Sequence, residues 1–69
     1  MQTLTELNQI IDYFEDEVDS DHGLTYVNGN FKDDHNIDDD VFLYDVIKED
    51  QALIDAYYQA IVKAIETYN

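Results

Sequence analysis

The sequence predicts a two-layer α+β domain of order α-β-β-β-α, a three-stranded antiparallel sheet with two flanking helices. Three observations carry that prediction. Leu4, Leu7, Ile11, Phe14 and Val18 recur at intervals of three and four, the spacing of an amphipathic helix. Asn28-Gly29 is the strongest short hairpin signal, since both residues accept the positive φ of a type I′ turn. Residues 41–47, VFLYDVI, form a β-branched and aromatic run broken only by Asp45, which favours a strand.

Taken in order, the chain reads as one domain over residues 1–69. A helix over 3–19 begins at Thr3-Leu4-Thr5-Glu6, a capping box in which Thr3 and Glu6 satisfy each other's backbone amides. Ile10 joins its apolar stripe, while Asn8, Asp12, Glu15, Asp16 and Asp19 fall on the other side. Acids crowd its C-terminal end, where the helix dipole disfavours each by roughly 0.3–1 kcal/mol. Gly23 turns the chain after the helix. Strands over 24–28 and 30–33 then pair through the Asn28-Gly29 turn, with Leu24, Tyr26 and Phe31 on the core face. An acidic loop over 33–40 follows, anchored by Ile37, and leads to a strand over 41–47. That strand would carry Phe42, Tyr44 and Val46 on one face and Val41, Leu43, Asp45 and Ile47 on the other. Asp50 or Glu49 caps a final helix over 50–68, whose core stripe is Leu53, Tyr57, Ala60, Ile61, Ala64, Ile65 and Tyr68.

Composition narrows the function. A chain of 69 residues buries only about 60% of its unfolded surface. It has no cysteine, so neither a disulfide nor a thiolate metal site is available, which fits a reducing cytoplasm. MQTLTELNQIIDYF has no basic n-region and no unbroken apolar stretch, so it does not read as a signal peptide. No segment approaches a membrane span. Seventeen acids face three lysines and no arginine, for a net charge of −14. Such a chain repels nucleic acids and anionic membranes and attracts basic proteins. Its 45% hydrophobic residues, six tyrosines and three phenylalanines argue for a folded domain rather than an acidic disordered segment.

Specific chemistries fare poorly. A calcium loop beginning at Asp34 would use Asn36, Asp38 and Asp45, but Asp39 stands where the loop needs glycine. His22 and His35 are separated by too many residues to make a recognised zinc spacing. Asp19-Ser20 begins like an acyl carrier motif, but Asp21 stands where that motif wants leucine. No serine nucleophile motif or phosphate-cradling glycine loop occurs, and a core this small leaves little room for a pocket of ~300 Å³. The reading is a non-enzymatic protein without cofactor or metal.

What remains is the acid itself. Solubility of a small domain needs a net charge of only about 2–8 in magnitude, so −14 points to a charge-based partner. At ~1.5 Å rise per residue, Asp12, Asp16 and Asp19 form a row with steps of roughly 5–6 Å on the first helix, near the scale of phosphate spacing. Glu15 and Asp21 lie beside it, and Asp33, Asp34, Asp38, Asp39 and Asp40 extend it from the loop. These ten residues are the candidate partner-binding set. They would place carboxylates where the arginines and lysines of a DNA-binding protein meet phosphates. Tyr13 and Tyr58, if exposed, would stack on arginine.

With its size, its layout and the acids over 12–21 and 33–40, the chain resembles the small acidic DNA-mimic proteins of phages. It is most similar to anti-CRISPR inhibitors of type I-C systems. That resemblance implies a partner, the PAM-reading large subunit of type I-C Cascade, and a mechanism, occupation of its basic groove so that target DNA is blocked. It also implies action in the cytoplasm of a bacterial host, as a monomer or weak homodimer. Two other readings stand beside it. One is an acidic immunity or antitoxin-like protein, or an anti-restriction inhibitor, that covers another basic nuclease. The other is a structural module that dimerises through Val41, Leu43 and Ile47.

Overall fold

A computed structural model describes residues 1–68 and is helical, with no strand among them. Helix α1 spans Leu4–Tyr13 and continues into a π-helical turn, Phe14–Val18, closed by the Asp19 amide donating to the Phe14 carbonyl at 3.0 Å. Helix α2 spans Thr25–His35, α3 is a short helix over Leu43–Ile47, and α4 spans Gln51–Tyr68. α4 is the hub, since α1, the π turn, α2 and α3 all pack against it.

The terminal helices start from local chemistry. The Thr3 hydroxyl accepts from the Glu6 amide at 3.0 Å, and the Thr3 amide donates to the Glu6 carboxylate at 2.9 Å. The same contact holds the Glu6 carboxyl below the usual range. Asp50 caps α4, its carboxylate accepting from the amides of Ala52 and Leu53. Asp55 ties the chain's start to α4: it accepts from the Gln2 amide at 2.7 Å and from Gln51 at 2.9 Å.

The three-stranded sheet is not formed, and both regions meant to build it are helical. Residues 24–28 and 30–33 are not a hairpin. They belong to α2 and the residue before it, and Asn28-Gly29 sits in the helix interior. The reason lies in a competing period. Leu24, Val27 and Phe31 stand three and four apart, and one side of a helix turns all three toward α4. Leu24 and Phe31 are buried, and Val27 packs against them. Tyr26, placed in the core by the hairpin reading, is instead 57% exposed. The Thr25 hydroxyl donates to the His22 carbonyl at the start of α2, and Asn36, at φ 55°, ends it in the left-handed conformation.

The strand over 41–47 is also replaced. Leu43 and Ile47 stand four apart, a spacing that shares one face in a strand and in a helix alike. The helical turn buries both and leaves Phe42 80% exposed. A run that looked apolar on two faces is therefore one buried pair with aromatic neighbours turned outward. Because Leu43 and Ile47 are in the core, they do not form a face for dimerisation.

The core is a single cluster. Leu7, Phe14, Ile47 and Ile61 are fully buried at its centre, with Leu24, Phe31, Leu43, Ile54 and Tyr57 around them. Ile37 packs against this cluster and anchors the loop between α2 and α3. Ile54 is buried although the stripe assigned to the last helix omitted it, while Tyr68, assigned to that stripe, is half exposed.

Candidate functional site

The acids divide by what they do in the fold. Five take part in local bonding: Glu6, Asp50 and Asp55 as described, Asp45 in an exposed pair with Lys48 at 3.4 Å, and Asp19. The carboxylates of the other twelve make no hydrogen bond or ion pair among the described residues, and nine of the ten candidate residues are in that group. Among the described residues no cationic side chain pairs with them. Lys32, nearest in sequence to the second acidic stretch, uses its ammonium to donate to the Asp39 carbonyl at 2.9 Å rather than to a carboxylate. That bond staples the loop to α2.

The first stretch lies on α1 and its exit. Asp12 and Asp16, four apart, are both exposed, as are Glu15, Glu17 and Asp21. Asp19 does not complete their row. It leaves helical geometry at φ −140°, its side chain is only 11% exposed, and it accepts from the His22 amide at 3.1 Å. Its carboxylate holds a turn, which is a structural role. Glu15 leans toward the molecule, with its carboxylate 3.5 Å from where a Cβ on Gly23 would stand. Its charge is felt by Tyr57: burial first, then Glu15, pushes the Tyr57 hydroxyl well above the usual tyrosine range, against the lowering effect of its bond to Asn28.

The second stretch is divided between two elements. Asp33 and Asp34 stand in the last turn of α2, not in a loop. Asp38, Asp39 and Asp40 occupy the loop before α3 and are exposed. The structure therefore splits the acids between α1 with its π turn and exit, and the end of α2 with the loop after it, rather than setting them in one continuous row. Tyr13 is 48% exposed beside the first stretch, whereas Tyr58 packs against the core.

Two features escaped the sequence reading. Phe42, the most exposed aromatic residue, follows Asp40 by two positions and marks an apolar point just beyond the second acidic stretch. An open groove of about 630 Å³ runs between α2 and α4. Its signal was present in the sequence, because Tyr26, Asn30 and Asp34 repeat every four residues, as do Val27, Phe31 and His35. The hairpin reading concealed both rows.

No protein-family model, curated protein or solved structure matches the chain. Among the described residues, no three histidine, aspartate or glutamate side chains converge as a metal site, and no helix is long and apolar enough to cross a membrane. The candidate site is a set of exposed carboxylates on a helical scaffold.

Proposed function

We propose that this protein is an acidic DNA mimic that binds the basic groove of a DNA-binding protein and keeps duplex DNA out of it. The observation that carries the reading is charge density. The chain bears −14 across a longest extent of 27 Å. B-DNA carries one negative charge per ~1.7 Å, so a duplex of that length carries about 16. Most of the carboxylates have no partner among the described residues, so their charge is available to an approaching cationic surface. Acids at the C-terminal ends of α1 and α2 also oppose the helix dipoles. Local stability does not account for that placement, and a partner's arginines and lysines would.

The resemblance to type I-C anti-CRISPR inhibitors, which rests on size and acidity alone because the α-β layout is not formed, supplies the target to test first, the PAM-reading subunit of Cascade in a bacterial cytoplasm. A gel shift decides it. Purified type I-C Cascade is mixed with a PAM-bearing duplex, with and without this protein. Loss of the shifted band supports the proposal. An unchanged band rejects that target and moves the search to restriction enzymes and nucleases.

Phe42 favours a second reading, an immunity-like plug for a basic nuclease. An exposed phenylalanine among acids has the make-up of an interface anchor, and burying it would contribute about 1.5–3 kcal/mol. In that case Phe42→Ala abolishes binding while neutralising single acids does little. A mimic shows the reverse.

A further inference from the structure

The groove between α2 and α4 has a layout suited to a particular guest. On α2, Val27 and Phe31 are the more buried lining residues, and Tyr26, Asn30, Asp34 and His35 are exposed around them. On α4, the floor is Ala56, Ala60 and Ala64, with Tyr68 at the end. Gln59, Lys63 and Thr67 form the opposite rim. Each row follows helical spacing, so the groove runs along both helices. From Ala56 to Tyr68 it extends roughly 18 Å at the ~1.5 Å rise of an α-helix. That is about three turns of a helix lying alongside. The alanines keep the floor low, which leaves depth for large apolar side chains of a guest, and the rims offer polar partners.

We infer that this groove receives an amphipathic basic helix of the protein partner, with its apolar stripe on the floor and its cationic residues on the Asp34 side, away from Lys63. The inference rests on the proposed function for the partner being basic, and it adds the element through which that partner is held. Charge selects the occupant. A second copy of this chain would bring another −14 to the contact, so repulsion disfavours self-association through the groove. A cationic amphipathic helix matches both the apolar floor and the surrounding field. Helices of this kind also commonly line DNA-reading surfaces, where they enter the major groove.

The test uses two synthetic peptides of fifteen residues with the same leucines and lysines. One is patterned to give a single apolar stripe in a helix, and the other is scrambled to destroy it. Each is titrated into the isotope-labelled protein and followed by NMR. The inference predicts at least tenfold tighter binding of the patterned peptide, with the largest shifts at Phe31, Ala60 and Ala64. Ala60→Trp, which fills the groove, should reduce the patterned peptide to the affinity of the scrambled one and leave the scrambled one unchanged. Ala64→Leu repeats the test if Ala60→Trp loses its helical spectrum. Equal affinities, or shifts confined to the acids of α1, would overturn the groove inference and leave the mimic standing. Binding of neither peptide would also overturn the groove inference, and the Cascade gel shift then judges the mimic by itself.

Discussion

Tyr57 donates its phenolic hydrogen to Oδ1 of Asn28, joining the middle of α4 to the middle of α2. The bond exists only because Asn28 is helical. In a hairpin turn the same side chain would stand at the tip, away from the core. Tyr57→Phe should therefore lower stability by about 1 kcal/mol, the value of a typical hydrogen bond with one partner left behind. Urea unfolding measures it. The ordinary tyrosine value is 10.0 and the folded one is higher, so the unfolded chain loses its proton first as pH rises. Stability from this group is full below pH 10 and declines above it. Tyr57→Phe should flatten that alkaline decline.

Gly29 separates the helical fold from the hairpin directly. A Cβ there meets nothing within 4 Å, and the residue lies inside α2. Gly29→Ala should stabilise by about 0.5–1 kcal/mol, because alanine loses less backbone freedom on folding. In a type I′ turn the same change would destabilise. Gly23→Ala is the control. Its φ of +56° is a conformation that alanine adopts only with strain, so that variant should be less stable. Thermal unfolding of the two variants should move in opposite directions.

Unpartnered carboxylates repel one another through water, and salt screens them with a Debye length of about 10 Å at 0.1 M. Adding sodium chloride should therefore raise the unfolding midpoint. A relief of ~1 kcal/mol corresponds to roughly 4–8 °C for a domain of this size. A midpoint that falls with salt would mean that attractive pairs dominate.

Acid acts on a different set of groups. The Gln2 amide chiefly, with Gln51, holds the Asp55 carboxyl below its ordinary value, and Thr3 does the same for Glu6. The unfolded chain therefore takes up protons first as pH falls. Stability from these groups is present above the ordinary carboxylate range and is lost as pH drops through their lower folded values. Asp55→Asn should lower the midpoint at neutral pH and weaken its acid dependence. Circular dichroism melts between pH 3 and 7 would show a shallower acid slope for the variant (roughly the window in which carboxylates titrate).

What the sequence could tell depended on whether one period or two fitted each segment. Thr3, Glu6, Leu7 and Phe14 admit only a helix, and their capping box and apolar stripe are legible without a structure. Leu43 and Ile47 fit both periods, so a run of seven residues could not choose between them. At Asn28-Gly29 a strong local turn signal opposed the weaker stripe of Leu24, Val27 and Phe31. Packing on α4 decided for the stripe, and the turn signal was outweighed. The acids stand out by composition, and the carboxylates of nine of the ten candidates have no partner among the described residues. Asp19 was not separable from them, because its role in the turn at His22 depends on where α1 ends. The groove was hidden because it requires α2 to be a helix.

Competition with neutralised variants tests most directly whether carboxylates of the two acidic stretches stand in for DNA phosphates. Labelled PAM-bearing duplex bound to type I-C Cascade is displaced by this protein, followed by fluorescence anisotropy at about 50 and 200 mM salt. The set Asp12, Asp16 and Asp21 and the set Asp33, Asp34, Asp38, Asp39 and Asp40 are changed to asparagine, separately and together. The account predicts displacement that weakens steeply with salt, falls in part with either set and disappears with both. Displacement that is indifferent to salt and survives neutralisation of both sets would contradict it.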